Sequence, residues 1–95
     1  MKIIFTPEAD EHADLADQWW RENRPAAPTL FRRELQAALR LIASSPSVGT
    51  VFKRNARRIR MPRTRHHVYY VVDADQALIT VVAVWGMPKG KTPKL

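Results

Sequence analysis

The sequence of 95 residues contains no cysteine and only three glycines. Without cysteine there can be neither a disulfide framework nor a thiolate metal site. The glycines are not spaced as in a phosphate-binding loop, and no serine stands in the context of a nucleophile elbow. His66 and His67 are neighbours in a predicted strand, so their side chains point to opposite faces and cannot bind one ion together. We therefore expect neither a metal nor a cofactor.

Long apolar runs are also absent. Near the start of the chain, only Ile3, Ile4 and Phe5 are consecutive apolar residues before Thr6. A signal peptide needs an apolar stretch about twice as long, and a membrane span needs about 20 residues. We therefore expect a cytoplasmic protein without a membrane segment. The length suits one domain, residues 1–95, whose small core would gain stability from a tight partner.

Acidic residues are scarce in the second half of the chain. Residues 46–95 contain ten basic and two acidic side chains, whereas residues 1–45 contain six basic and seven acidic ones. The net charge of +7 therefore comes from the C-terminal half. This distribution favours a surface that binds nucleic acid or an acidic partner protein. Basicity that serves only solubility would give the same count.

The first half of the chain predicts a short strand, residues 2–5, followed by two helices. Thr6 suits the N-cap of the first helix, and small or apolar residues recur at helical spacing from Pro7 to about residue 22. A second helix is predicted to begin within residues 24–28, with both prolines of that segment in its first turn. It should end at residues 44–47, so the two helices form an antiparallel hairpin.

The second half changes to the alternating pattern of strands. The predicted strands cover residues 57–61, 67–72 and 77–85. A basic flexible tail should follow from about residue 86. The sequence thus predicts an α+β fold with the order β-α-α-β-β-β. Trp19 and Trp20 are assigned mainly to core and hairpin packing, and Trp85 to the sheet edge near the tail.

Arginine is concentrated in one stretch of twelve residues. Its members are Arg54, Arg57, Arg58, Arg60, Arg63 and Arg65. On a strand, Arg58 and Arg60 share one face with Cα atoms about 6–7 Å apart, which suits adjacent phosphates of a nucleic-acid strand. Guanidinium groups suit the carboxylates of an acidic partner equally well. A merely solvated strand face is the third interpretation.

Strand alternation places further polar groups beside these arginines. If Ile59 packs under the helices, the opposite face presents Arg58, Arg60, His67 and Tyr69 together. A metal-free ribonuclease would use such groups to stabilise a crowded phosphorane and to move a proton from a 2′-hydroxyl. A protein-interaction surface needs the same residue types without proton transfer. These four residues fit both interpretations.

Several segments together resemble the RelE/ParE toxins of type II toxin–antitoxin systems. They are Phe5-Thr6-Pro7-Glu8-Ala9, Arg24-Pro25-Ala26-Ala27, Ser45-Pro46-Ser47-Val48-Gly49, Arg57-Arg58-Ile59-Arg60, His67-Val68-Tyr69-Tyr70-Val71-Val72-Asp73 and Ala83-Val84-Trp85-Gly86. The resemblance covers nearly the whole chain. It implies a helical hairpin packed on a small antiparallel sheet. It also implies a cognate antitoxin, whose apolar residues would enter a groove beside the hairpin and whose acidic residues would suit the basic half.

The resemblance divides by activity. In the RelE branch, which cleaves messenger RNA on the ribosome, Arg58 and Arg60 match paired basic positions, and His67 stands where that branch has an arginine. The tail lacks the arginine and tyrosine expected of that branch, since no tyrosine follows Tyr70. The chain looks closer to the ParE branch, which poisons DNA gyrase through protein contacts and is associated with plasmid stabilisation and growth inhibition.

These observations give three functional hypotheses. The first is a ParE-like gyrase inhibitor that is neutralised by its antitoxin and does not act as an enzyme. The second is a RelE-like, metal-independent mRNA interferase that uses Arg58, Arg60, His67 and Tyr69. The third is a degenerate toxin that only binds antitoxin. Under each of them, the residues expected to bind a partner or target are Arg54, Arg57, Arg58, Arg60, Arg63, Arg65, Trp85, Lys89 and Lys91.

Overall fold

A computed structural model describes residues 1–86 and 92–95. Along the chain, the elements are β1 (Lys2–Phe5), α1 (Pro7–Asn23), α2 (Leu30–Ser44), β2 (Thr50–Lys53), β3 (Ala56–Met61), β4 (His66–Asp73) and β5 (Leu78–Gly86). The five strands form one sheet in the order β1-β5-β4-β3-β2. The predicted α+β class is confirmed. No helix among the described residues is long and apolar enough to cross a membrane.

Two parts of the predicted sheet were wrong. The sheet is mixed rather than antiparallel, because β1 pairs with β5 in parallel while the other neighbouring strands are antiparallel. The order also contains a further strand, β2, which makes the sequence of elements β-α-α-β-β-β-β. Only two residues, Arg54 and Asn55, connect β2 to β3. Neither is glycine, although Arg54 has a φ of +48°, so the usual sequence signal of a tight hairpin is missing.

The two helices differ in how they begin. At α1 the Thr6 hydroxyl accepts a hydrogen bond from the Ala9 N–H at 3.1 Å, and Pro7 follows as the first helical residue, as predicted. The predicted start of α2 within residues 24–28 was wrong, because the helix begins only at Leu30. A residue before proline avoids the helical region, so Pro25 and Pro28 keep the connection in turns.

The core lies between the helical hairpin and one face of the sheet. Ala9 and Ala13 of α1 are buried there, together with an apolar stripe of α2 that includes Phe31 and Ile42. Strands β3, β4 and β5 contribute Met61, Val68, Tyr70, Ile79, Val81 and Val84. The assignment of Trp19 to core packing was wrong. Its side chain is 47% exposed, whereas Trp20 packs against the core.

The buried Tyr70 connects the sheet to the loop between α2 and β2. Its hydroxyl group donates to the Pro46 carbonyl and accepts from the Gly49 N–H, both at 2.8 Å. A Cβ atom at residue 49 would lie 2.6 Å from the Tyr70 oxygen, so this close approach requires glycine. The loop that leads into β2 is thereby fixed to the centre of the sheet.

A candidate target-binding face

The sheet face that points away from the helices collects the four residues singled out from strand alternation. In the β3–β4 ladder, Arg58 lies opposite Tyr69 and Arg60 lies opposite His67. The Arg58 guanidinium donates to the Tyr69 hydroxyl at 3.4 Å, and the rings of His67 and Tyr69 are 5.9 Å apart. We call Arg58, Arg60, His67 and Tyr69 the arginine face.

Phe52 of β2 completes this surface and was missed at the sequence level. Its ring lies edge-on to that of Tyr69, with centroids 5.0 Å apart, and the Arg58 guanidinium carbon lies 5.0 Å from the Phe52 centroid. The ammonium of Lys53 is 5.6 Å from the same ring. The β-branched and aromatic residues of Thr50–Lys53 were the available signal for this strand. Contacts with the Phe52 ring and with the Tyr69 hydroxyl restrain the Arg58 side chain.

The members of the arginine face differ in their access to solvent. Tyr69 is buried, with only 1% of its surface exposed. Arg60 is exposed, whereas Arg58 and His67 are half-buried. A macromolecule that approaches this face therefore meets the two guanidinium groups and the imidazole, while the phenol lies beneath them. The arginine face therefore presents the positive charges of Arg58 and Arg60 above the buried aromatic ring of Tyr69.

The pKa of His67 is lowered from its ordinary value. Burial of the ring is the largest cause, followed by the positive charges of Arg58 and Arg60 and by His66. His67 is therefore mainly uncharged at neutral pH, and its free ring nitrogen can accept a hydrogen bond or a proton. The positive charge of the face comes from the arginines alone.

The other arginines of the cluster do not share this surface. Arg57 points to the helix side, where its guanidinium donates to the carbonyls of Ser47 at 3.2 Å and Gly49 at 2.8 Å. Arg54 lies in the β2–β3 turn. Arg63 and Arg65 lie in the β3–β4 turn, which is at the opposite end of β3. The six arginines thus divide among four places: the arginine face, the helix side of β3 and the turns at its two ends. Neighbours in sequence are separated here by strand alternation and by two turns.

Trp85 stands beside the arginine face on β5. It lies opposite His67 in the β4–β5 ladder, and its ring is 5.2 Å from that of His12 on α1. The His12 Nδ1 atom accepts a hydrogen bond from the Val84 N–H at 3.3 Å. The indole Nε1 of Trp85 is buried and has no hydrogen-bond partner among the described residues. Trp85 was predicted at the sheet edge near the tail. β5 lies between β1 and β4, but β1 pairs only with residues 78–81, so among the described strands Trp85 has a neighbour on the β4 side alone.

A cleft of about 950 Å³ extends from Trp85 along this side of the sheet. Its lining includes Ala56, Val71 and Ala83 of the sheet, together with residues 92–95. Pro93 is buried there. The predicted basic tail covered residues from about 86 to 95, of which 87–91 lie outside the described residues. Lys89 and Lys91 therefore lie outside the described residues, while Gly86 still belongs to β5. No group of histidines and carboxylates within residues 1–86 and 92–95 could hold a metal ion.

A family model matches residues 3–87 of this chain. The family is described as "ParE toxin of type II toxin-antitoxin system, parDE". The chain belongs to the ParE toxin family. This match agrees with the resemblance to the RelE/ParE superfamily that the sequence motifs carried, and it identifies the protein as a toxin of a type II toxin–antitoxin system.

Solved structures of RelE and ParE toxins have the same fold as this ParE-family chain. A YoeB/ParE toxin from Agrobacterium tumefaciens has a TM-score of 0.67 at 14% identity, over 90% of this chain and 98% of that chain. The intact Escherichia coli RelBE toxin–antitoxin complex has a TM-score of 0.65 at 15% identity, over 93% of this chain and 98% of that chain. The chromosomal ParDE system from P. aeruginosa has a TM-score of 0.64 at 12% identity, over 90% of this chain and 95% of that chain. No curated protein sequence matches the chain significantly. Because the sequences are only 12–15% identical, these structures show that the fold is shared and do not show a shared target.

Proposed function

We propose that this ParE-family toxin inhibits DNA gyrase through protein contacts made by the arginine face, and that a cognate antitoxin neutralises it. Membership of the family supports the toxin role. Two similar structures, RelBE and ParDE, are toxin–antitoxin systems, which supports an antitoxin partner. The observation that carries the choice of protein contacts over RNA cleavage is the burial of Tyr69, which is 1% exposed.

The burial of Tyr69 matters because metal-free RNA cleavage needs two proton transfers. One group must take the proton of the attacking 2′-hydroxyl, and another must deliver a proton to the leaving oxygen. His67 can accept a proton, but Tyr69, the other member whose side chain could donate one, is covered. Arginine remains protonated in proteins and does not transfer protons. The face therefore offers binding charge and a single accessible proton-transfer group.

The same geometry suits an acidic protein surface. Arg58 is held by Phe52 and Tyr69, so less conformational freedom is lost when its guanidinium binds a carboxylate. Arg60 is exposed two residues further along the same strand and can form a second such pair. We infer that carboxylates of gyrase meet these two side chains. Because gyrase acts on chromosomal and plasmid DNA, the toxin would act in the cytoplasm and arrest growth.

A RelE-like mRNA interferase is the second candidate, and one observation favours it. The lowered pKa of His67 leaves a neutral imidazole, which is the form a general base requires, beside two guanidinium groups that suit phosphates. In this mechanism His67 would take the proton of the 2′-hydroxyl as its oxygen attacks phosphorus, and Arg58 would stabilise the charge on the phosphorane. The bond to the 5′-oxygen would then break, and this oxygen would take a proton from water. The third hypothesis, a degenerate toxin that only binds antitoxin, predicts that the chain does not slow growth.

A paired assay separates these functions. Purified chain is added to DNA gyrase and supercoiling is followed. The same preparation is then added to a ribosome-containing extract with a defined mRNA. We expect inhibited supercoiling and intact mRNA. Cleavage of the mRNA that disappears in the Arg58→Ala and His67→Ala variants would overturn the gyrase proposal. Expression without the antitoxin gene that leaves growth unchanged would overturn both toxin activities.

A further inference from the structure

A second surface lies on the helix side of the sheet, between the C-terminal end of α1 and the β3–β4 turn. It is a cleft of about 700 Å³, a volume typical of ligand-binding clefts. Its lining includes two indole rings, an imidazole and three guanidinium groups, which belong to Trp19, Trp20, His66, Arg24, Arg63 and Arg65. We call these six residues the tryptophan groove. The His66 ring contacts Phe31 of α2 with centroids 5.1 Å apart, so the groove and the arginine face lie on opposite sides of the sheet.

Trp19 presents an exposed aromatic ring in the tryptophan groove. The residue is 47% exposed, and its ring lies edge-on to that of Trp20 with centroids 5.9 Å apart. The Arg24 guanidinium carbon lies 5.1 Å from the Trp19 centroid and 5.7 Å from the Trp20 centroid. Proteins that bind single-stranded nucleic acid use such exposed rings, because every base has a flat π-face that can stack on them. Trp19 is therefore available for stacking with a base, and Arg24 stands beside it.

The cations of the tryptophan groove come from two sides of the cleft. Arg24 directly follows α1, whereas Arg63 and Arg65 belong to the β3–β4 turn, and all three are exposed. None of the described lining residues is acidic, and neither Arg24 nor Arg65 forms a salt bridge with a described carboxylate. Glu34 lies close enough to Arg63 to offset part of its charge. The unpaired positive charge therefore belongs mainly to Arg24 and Arg65, one on each side of the cleft.

The backbone of Arg65 is a second, independent observation. Its φ is +60°, in the left-handed region that glycine or asparagine would occupy at a lower cost. Other residues held in this region cluster at binding sites, where the surrounding structure fixes them. Here Glu34 holds the turn, because its carboxylate accepts hydrogen bonds from the Arg63 N–H at 2.9 Å and from the Thr64 hydroxyl at 2.6 Å. The Arg65 guanidinium is thus presented to the cleft from a turn of fixed conformation.

We propose that the tryptophan groove binds single-stranded nucleic acid, with one base stacked on Trp19 and the flanking phosphates paired with Arg24 and Arg65. Each nucleotide carries a π-face next to a phosphate, so one strand contacts the exposed ring and both guanidinium groups together. A double helix keeps its bases paired and stacked inside and offers none to Trp19. An acidic peptide would pair with the arginines but has no flat ring beside each charge. Binding in the groove is independent of gyrase inhibition by the arginine face.

The test measures, by fluorescence anisotropy, the affinity of the purified toxin for a labelled single-stranded DNA of about eight nucleotides. A strand of the same length without bases keeps the phosphates and is the control ligand. We expect the strand with bases to bind about tenfold more tightly, which is the contribution of stacking one base on an aromatic ring. Equal affinities would overturn the proposal, because charge alone would then explain binding. Polyglutamate of the same charge that binds as tightly as the DNA would overturn the choice of nucleic acid.

Variants of the groove locate the site. Trp19→Leu keeps an apolar side chain without a π-face, so it should weaken binding of the strand with bases by about tenfold and leave binding of the control strand unchanged. Trp19→Phe should restore most of the affinity. Arg24→Gln should reduce the slope of log affinity against log salt concentration by about 0.7, the value for one phosphate of a single strand. Arg40→Gln, which removes an exposed charge of α2 outside the groove, should leave the slope unchanged.

Thermal unfolding is measured on the same variants, so that a loss of binding can be separated from a loss of fold. Groove variants that melt as the wild type does and show these losses would support the proposal. Groove variants that bind both strands with wild-type affinity and salt dependence would overturn it. Binding that is lost in Arg60→Gln but kept in Trp19→Leu and Arg24→Gln would also overturn it, because the arginine face would then be the binding site.

Discussion

Replacing Tyr70 by phenylalanine removes one hydroxyl group that joins β4 to the loop before β2. In the folded protein this group donates to the Pro46 carbonyl and accepts from the Gly49 N–H, both at 2.8 Å, and Tyr70 is 0% exposed. The substitution leaves a buried N–H group and a carbonyl without their partner. Each such group costs about 1–3 kcal/mol, so we expect the free energy of unfolding to fall by at least about 2 kcal/mol.

The preceding residue provides the matched control. The Tyr69 hydroxyl has one contact, to Arg58 at 3.4 Å, which is long for a hydrogen bond. Tyr69→Phe should therefore lower the free energy of unfolding by less than about 1 kcal/mol. Urea unfolding followed by circular dichroism gives both values from the midpoint and slope. If Tyr70→Phe lowers the free energy of unfolding no more than Tyr69→Phe does, the Tyr70 hydroxyl does not hold the loop. Its close approach would then not explain why residue 49 is glycine.

Two further predictions concern turns. Burial acts to raise the pKa of the Glu34 carboxyl, but hydrogen bonds from Thr64 and from the Arg63 N–H outweigh it, so the pKa is lowered. The ionised carboxylate therefore stabilises the fold above about pH 5, and this stabilisation is lost as the pH falls through the folded-state pKa. Glu34→Gln should flatten this part of the pH dependence of the urea midpoint, and an unchanged profile would contradict the assignment. Arg54→Gly should raise the free energy of unfolding by about 0.5–1 kcal/mol because φ at residue 54 is +48°. Asn55→Gly, at a residue without a positive φ, should not raise it.

Much of the fold could be predicted because its elements carry strong local signals. The N-cap at Thr6, the apolar stripe of α2 and the alternation in β3 and β4 are all read from spacing within one element. Long-range pairing is different. The parallel register of β1 on β5 joins residues more than seventy positions apart, and no local pattern encodes it. β2 was missed because its hairpin turn has a left-handed arginine in place of glycine.

Part of the candidate site could be predicted because it depends on the same local alternation along strands. Alternation along two strands brought Arg58, Arg60, His67 and Tyr69 to one face, because β3 and β4 pair in the register that places them opposite one another. The burial of Tyr69 was not predicted, and one of the rings that contact it, Phe52, belongs to the unpredicted strand. The exposure of Trp19 was not predicted, because Trp19 has the spacing of a core residue and only the tertiary structure leaves it exposed.

The most direct test of the account is the concentration of toxin that half-inhibits gyrase supercoiling, measured for the wild type, Arg60→Gln and His67→Gln. If the arginine face acts by protein contacts, loss of one guanidinium should raise this concentration by about tenfold, as an interface contact worth about 1.4 kcal/mol does. Loss of the imidazole should change it by less than about threefold, because the proposed carboxylate contacts are made by Arg58 and Arg60 and no proton transfer is required. Inhibition abolished by His67→Gln and unaffected by Arg60→Gln would contradict the account.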